Sequence, residues 1–214
     1  NNGLHYPIVD GITLPEEPGI LFRRGKQHSV PYMSGGSTYD GSSYKATSGL
    51  SPDTLLASTE PYADAVRALY GIEAATYAPE VKQLFGDLRY VLASRYTTQQ
   101  MNQVDQPGYL YMLSYIPPSE RDNWRGAPHS WQKRPLFRDE GIPIINTMRQ
   151  YIINLVKTGN PNSANLPDWP SVGAGKVPWM MFDDEPEVKL GIWREKFDLL
   201  QRIYEHRITP LVPQ

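Results

Sequence analysis

An α/β arrangement is expected for this chain, for three reasons. Short runs rich in aromatic and aliphatic residues, at 30–34, 109–115 and 179–182, have the composition of strands. Between them lie longer segments whose apolar residues recur every three or four positions, as on one face of a helix. Strands separated by helices make an α/β class. The 17 glycines and 20 prolines add many turns and irregular loops. Three short strands are a thin sheet for 214 residues, so the domain is expected to be incomplete.

Residues 1–19 read as loop, because Pro7, Pro15 and Pro18 interrupt any long element. Pro18 opens a short helix around Ile20, Leu21 and Phe22 that stops at Gly25. Val30 to Ser34 reads as a buried strand that runs into a sharp backbone turn at Gly35-Gly36. Ser51 caps a helix over 53–58, with Pro52 at its first position. Pro61 opens a second helix to about Leu69, closed by Gly71. Ala78-Pro79 opens a third, carried to about Gln103 by Val81, Leu84, Phe85, Leu88, Val91 and Leu92. The aromatic run Tyr109 to Tyr115 is the strongest strand signal, and Pro117-Pro118 ends it. Tyr109, Tyr111 and Tyr115 are read as sheet core rather than a ligand platform. A loop follows to about Gly141. Pro143 opens a helix with Ile144, Ile145, Met148, Ile152, Leu155 and Val156 on its apolar side and Gly159 after it. Residues 159–178 are turn-rich, Trp179 to Phe182 is a short strand, and a last helix spans about Gly191 to His206. Its burial candidates are Ile192, Phe197, Leu199, Leu200 and Ile203.

The balance of 21 basic and 23 acidic residues, net −2, excludes the basic excess of an electrostatic nucleic-acid binder. Arg23, Arg24 and Lys26 form a solvated helix end. The longest apolar runs fall short of the 18 or so residues that cross a bilayer, so no membrane span is expected. The absence of cysteine removes disulfides, thiolate metal sites and a cysteine nucleophile. The four histidines lack a paired carboxylate spacing, so no metal site is expected. His5, His28 and His206 are read as surface residues.

Two places could carry chemistry. Asp40 lies in Gly35-Gly36-Ser37-Thr38-Tyr39-Asp40-Gly41, after a strand, where α/β folds place functional groups. An aspartate beside glycine also orders its own turn, and that reading stands beside the functional one. His129 lies in Trp124-Arg125-Gly126-Ala127-Pro128-His129-Ser130-Trp131, after the strongest strand. A histidine in a proline-stiffened loop suits a general base, and equally a satisfied half-buried residue. Ser37, Ser42 and Ser43 are read as turn residues, because they lack the strand–elbow–helix setting of a nucleophile.

Taken in order, several segments resemble the C-terminal half of the type-B carboxylesterases, the family that includes the cholinesterases. Pro7-Ile8-Val9-Asp10-Gly11 is similar to the family's Pro-Val-Val-Asp-Gly segment. Val30-Pro31-Tyr32-Met33-Ser34-Gly35-Gly36 is similar to the strand before the acid loop, and Leu84-Phe85-Gly86-Asp87 to the helix after it. Tyr109 to Tyr115 resembles the next strand, and Gly126-Ala127-Pro128-His129 the histidine loop. Thr158-Gly159-Asn160-Pro161-Asn162 and Leu166-Pro167-Asp168-Trp169-Pro170 resemble the punctuation near the family's end. Ser130 to Phe137 departs from the acidic and Pro-Tyr-Val-Phe pattern usual after the histidine.

The resemblance implies an α/β-hydrolase fold of which residues 1–214 form the C-terminal part, with about three strands and several helices. It implies Asp40 as the acid of a catalytic triad, where the family usually has Asp-Glu-Gly, so the acid is one methylene shorter. It implies His129 as the general base, closer in sequence to the acid than is usual. The triad order in this fold is serine, then acid, then histidine. No Gly-x-Ser-x-Gly elbow and no oxyanion glycine cluster occurs in the chain. The expected partner is therefore an N-terminal half that carries the serine and the oxyanion hole, and the expected substrate is a small carboxylic ester. The implied ester hydrolysis needs no cofactor or metal, and the chain alone is expected to be inactive. The alternative is a non-catalytic adhesion or binding protein of the same superfamily, or a stand-alone accessory domain.

Overall fold

The computed structural model describes residues 8–44, 49–138, 141–173 and 175–211. Its frame is one four-stranded sheet in the order β1-β2-β3-β4. β1 is Tyr32–Ser37, β2 Gly108–Leu113, β3 Pro178–Phe182 and β4 Pro186–Leu190. The first three are parallel and the fourth runs antiparallel to β3. The expected class holds, with one strand more than the sequence indicated. β4 carries little strand signal in the sequence, because Pro186-Glu187-Val188-Lys189-Leu190 is an edge strand, half polar and mostly exposed.

β1 corrects a second expectation. It starts two residues later than expected and passes straight through Gly35-Gly36 to Ser37 instead of turning there. Val30 lies outside it and is exposed. The glycines are there for close approach. A Cβ on Gly35 would overlap the Tyr111 backbone and ring of β2, and one on Gly36 would lie 2.6 Å from Asp40 Oδ2.

Helices form the crossovers that parallel strands require. Between β1 and β2 run α1's successors in sequence, α1 itself being Pro18–Arg23 ahead of the sheet. They are α2 (Pro52–Ala57), capped by Ser51 as expected, and α3 (Ala63–Tyr70), closed by left-handed Gly71. α3 begins two residues after Pro61. The expected long helix is present as α4 (Pro79–Gly86), a π-helical turn (Asp87–Val91) and α5 (Leu92–Gln100), ending in a 3-10 turn at Val104. A short helix, α6 (Lys133–Phe137), lies in the stretch expected to be loop. α7 (Pro143–Thr158) and α8 (Arg194–Ile208) complete the set.

The alternation of side chains along β2 and β3 divides the core in two. Leu110, Met112, Trp179 and Met181 face a cluster with Leu84, Phe85, Val91, Phe197 and Leu200. Tyr109, Leu113, Met180 and Phe182 face another with Ile144, Met148, Tyr151 and Trp169. On α7, Tyr151 takes the buried position and Val156 is exposed, because the apolar face follows 144, 145, 148 and 151. Tyr109 is buried, as expected for sheet core, and Tyr111 and Tyr115 are half-buried against the same cluster. Among the described residues, no helix is long and apolar enough to cross a membrane. His28 and His206 are exposed as expected, and His5 lies outside the described residues.

Candidate active site

β1 and β2 are neighbours in register, so Ser37 lies beside Leu113 and both strands end at the same edge. The two loops of interest leave from that edge. Thr38 N–H donates to Leu113 O at 2.9 Å, and the chain then tightens into a 3-10 turn over Asp40–Ser43. The second loop comes back to meet it. Tyr39 N–H donates to Ala127 O at 3.0 Å, and Ala127 N–H donates to Thr38 Oγ1 at 2.9 Å. His129 N–H donates to Ser42 Oγ at 2.8 Å. Each such bond contributes roughly 1 kcal/mol net, and together they fix the separation of the two loops.

Within this frame Asp40 and His129 meet. Their contact is Nδ1 to Oδ1 at 2.8 Å. The Asp40 side chain is 5% exposed and that of His129 28%. The second carboxylate oxygen, Oδ2, accepts from Ser37 N–H at 2.7 Å, so both oxygens are oriented. A carboxylate can only accept, so the hydrogen in the contact sits on Nδ1. In the neutral ring that leaves a lone pair on Nε2, which makes no hydrogen bond among the described residues. The arrangement can take a proton at Nε2 while Asp40 stabilises the resulting cation.

The helical wall behind the acid is packed against it. A Cβ on Gly41 would overlap the Lys82 carbonyl, and one on Gly86 would overlap the Gly41 backbone. Any larger residue at either position would push α4 off the acid loop. The π-helical turn that follows α4 brings Tyr90 over the imidazole, with ring centroids 4.4 Å apart and planes 29° from parallel. Beneath the pair, burial pushes the Tyr111 phenol above its ordinary range, and the Asp40 charge adds to that rise. At the histidine loop, Ser130 adopts the left-handed conformation (φ 59), which turns the chain immediately after His129.

The three serines of the acid loop have other tasks. Ser42 Oγ holds the His129 backbone, Ser43 Oγ donates to Asp40 O at 3.3 Å, and Ser37 Oγ is buried with no hydrogen-bond partner among the described residues. The structure thus brings together both sequence-predicted residues, Asp40 and His129. It adds two that the sequence did not single out. Ser42 was read as a turn residue. Helical spacing puts Leu88, Val91 and Leu92 on the buried face and gives Tyr90 no weight, and it is the π turn that presents Tyr90 to the imidazole.

Comparison with known proteins agrees with this fold. Residues 4–200 match the model of the carboxylesterase family. Carboxylesterase 4A of Bos taurus is 21% identical over 94% of this chain and 42% of its own length. Among solved structures, Aspergillus niger EstA superposes with a TM-score of 0.75 at 19% identity, covering 98% of this chain and 46% of EstA. PNB esterase superposes at 0.71 with 20% identity, over 92% and 43%. The EST55 carboxylesterase of Geobacillus stearothermophilus gives 0.69 with 20% identity, over 93% and 46%. The chain therefore spans less than half the length of these relatives. With a family match over most of its residues and the same fold in esterases of known structure, the chain belongs to the carboxylesterase family.

Proposed function

We propose that this chain supplies the acid and the base of a serine–histidine–aspartate triad in a serine carboxylesterase. The nucleophilic serine and the oxyanion-binding amides are supplied by an N-terminal half, since the sequence contains no Gly-x-Ser-x-Gly elbow. The observation that carries the proposal is the 2.8 Å contact between His129 Nδ1 and the buried Asp40 carboxylate, at the edge where two parallel strands end. A paired acid and base in that place favours an enzyme over a non-catalytic binding protein.

In the reaction, the serine hydroxyl attacks the ester carbonyl as His129 Nε2 takes its proton. Asp40 holds the imidazole in the required tautomer and stabilises the imidazolium. Amides of the N-terminal half stabilise the oxyanion, each donor lowering the barrier by roughly 2.7–4 kcal/mol. The tetrahedral intermediate collapses as Nε2 returns the proton to the leaving alcohol oxygen and the carbon–oxygen bond breaks, leaving an acyl-serine. Water then repeats the sequence, with His129 again taking and returning the proton, and the acid product leaves.

The test is ester hydrolysis by the full-length enzyme carrying His129→Ala or Asp40→Asn. Turnover is expected to fall by roughly four orders of magnitude or more in each, with the thermal midpoint retained. Near-normal turnover by folded His129→Ala would overturn the proposal.

A further inference from the structure

We infer that Tyr90 is a positioning residue for His129, fixing the tilt of the imidazole by stacking on its face. The inference rests on His129 being the base, as proposed above. The Asp40 contact holds the ring at one atom, Nδ1. One hydrogen bond sets the tautomer and anchors that atom, but it leaves the ring free to tilt about the anchor, and tilting moves Nε2. A flat partner on the ring face removes that freedom. Tyr90 is such a partner, at 4.4 Å between centroids and 29° between planes. The same face stabilises the imidazolium formed during proton transfer, because a ring's π cloud attracts a cation above it.

Tyr90 is itself held. Phe85 packs edge-on against it at 6.2 Å, and Phe85 is stacked on Tyr44 at 4.2 Å. The Arg89 guanidinium lies 5.7 Å from the Tyr90 ring centroid. The π-helical turn that presents Tyr90 is fastened at its first residue, Asp87. That carboxylate accepts from Tyr70 Oη and Gln83 Nε2, both at 2.9 Å, and pairs with Lys196 at 3.2 Å. At its other end Val91 is fully buried. A π turn is an uncommon, higher-energy form of helix, and here the residue it presents faces the proposed base.

The experiment compares steady-state ester hydrolysis by the full-length enzyme as wild type, Tyr90→Phe, Tyr90→Leu, Tyr90→Met and His129→Ala. Tyr90→Leu and Tyr90→Met are expected to lower kcat about ten- to a hundredfold with little change in KM, as a misaligned base does. Tyr90→Phe keeps the aromatic face and is expected to restore kcat to near wild type. Thermal midpoints identify any variant that fails to fold, and the unbranched, more adaptable Met variant replaces Leu if Leu fails. In NMR spectra of the same full-length proteins, the His129 ring protons are expected to move downfield in the Leu or Met variant as the Tyr90 ring current is lost. Unchanged kcat in a folded Leu or Met variant overturns the inference, and so does an equal loss in Tyr90→Phe. If His129→Ala also retains normal turnover, the triad proposal itself fails. If only His129→Ala is inactive, the triad stands and the stacking role is excluded.

Discussion

Asp40 and Asp87 are both buried carboxylates, and their surroundings give them different tasks. Asp40 has one oxygen on a backbone amide and the other on an imidazole at the molecular surface. Asp87 is enclosed, and burial raises its pKa above the ordinary 3.8 although Lys196, Tyr70 and Gln83 all favour the charged form. A raised acid pKa means that the folded chain holds the proton more tightly than the unfolded chain. The stability linked to that proton is complete below the unfolded pKa and is lost as pH rises through the folded one. Asp87→Asn does not titrate, so its thermal midpoint is expected to gain on wild type as pH rises from about 3 to about 7. The slope of the difference is the readout, whatever its offset. A difference that is flat with pH, or that falls, contradicts the assignment.

At the scale of elements, α8 is tied to α5 by the edge-on packing of Tyr204 on Tyr96 and by the hydrogen bonds of Arg95. Arg95, 7% exposed, donates to Asp198 Oδ1 at 2.6 Å, to Gln201 Oε1 at 2.7 Å and to Phe197 O at 3.3 Å. Asp198 is 42% exposed, so the two partners are unequal. Removing Asp198 leaves a buried guanidinium short of an anion, while replacing Arg95 leaves a carboxylate that water can reach. Asp198→Ala is therefore expected to cost about 2 kcal/mol in chemical denaturation, and Arg95→Met clearly less. The reverse order would show that the guanidinium stem, not its charge, holds the helix.

The same scale shows why some elements were legible in the sequence and others were not. Ser51-Pro52, Ala78-Pro79 and Pro143 stand at helix starts because a cap or a missing N–H acts locally. β2 was legible from its aromatic run. β1 was legible only over 32–34, because its continuation through Gly35-Gly36 depends on Tyr111 of β2, which approaches from elsewhere in the chain. Asp40 and His129 were singled out from their loops and from family resemblance, but their contact depends on register between β1 and β2, which no local pattern encodes. Tyr90 depends on a π turn, and apolar spacing alone carries no sign of one.

For the whole molecule, the decisive feature is β1 at the sheet edge. Among the described residues its only strand partner is β2; on its other side Ser94 Oγ takes Gly35 O and Asp40 Oδ2 takes Ser37 N–H, and no strand covers the rest of that edge. Such an edge recruits another strand. The 214-residue chain on its own is expected to associate as its concentration is raised, measured by sedimentation velocity. It is also expected to take no covalent label from an organophosphonate, since Ser37, Ser42 and Ser43 are spoken for or enclosed. A strictly monomeric chain that is labelled at one of these serines would remove the case for a second half.

The cross-bonding of the two loops has a consequence for motion. Tyr39, Ala127 and His129 each donate a backbone N–H into the other loop, and Ser37 donates its own to the acid. Loops ordinarily open far more often than strands, but the three amides that cross between the loops, those of Tyr39, Ala127 and His129, can exchange with deuterium only when the loops part. They should therefore exchange together, at the pace of the β1–β2 pairing, as a single cooperative unit. Asp40 and the imidazole of His129 would then be aligned once, when the chain folds, with no ordering left to be done before the proposed proton transfer.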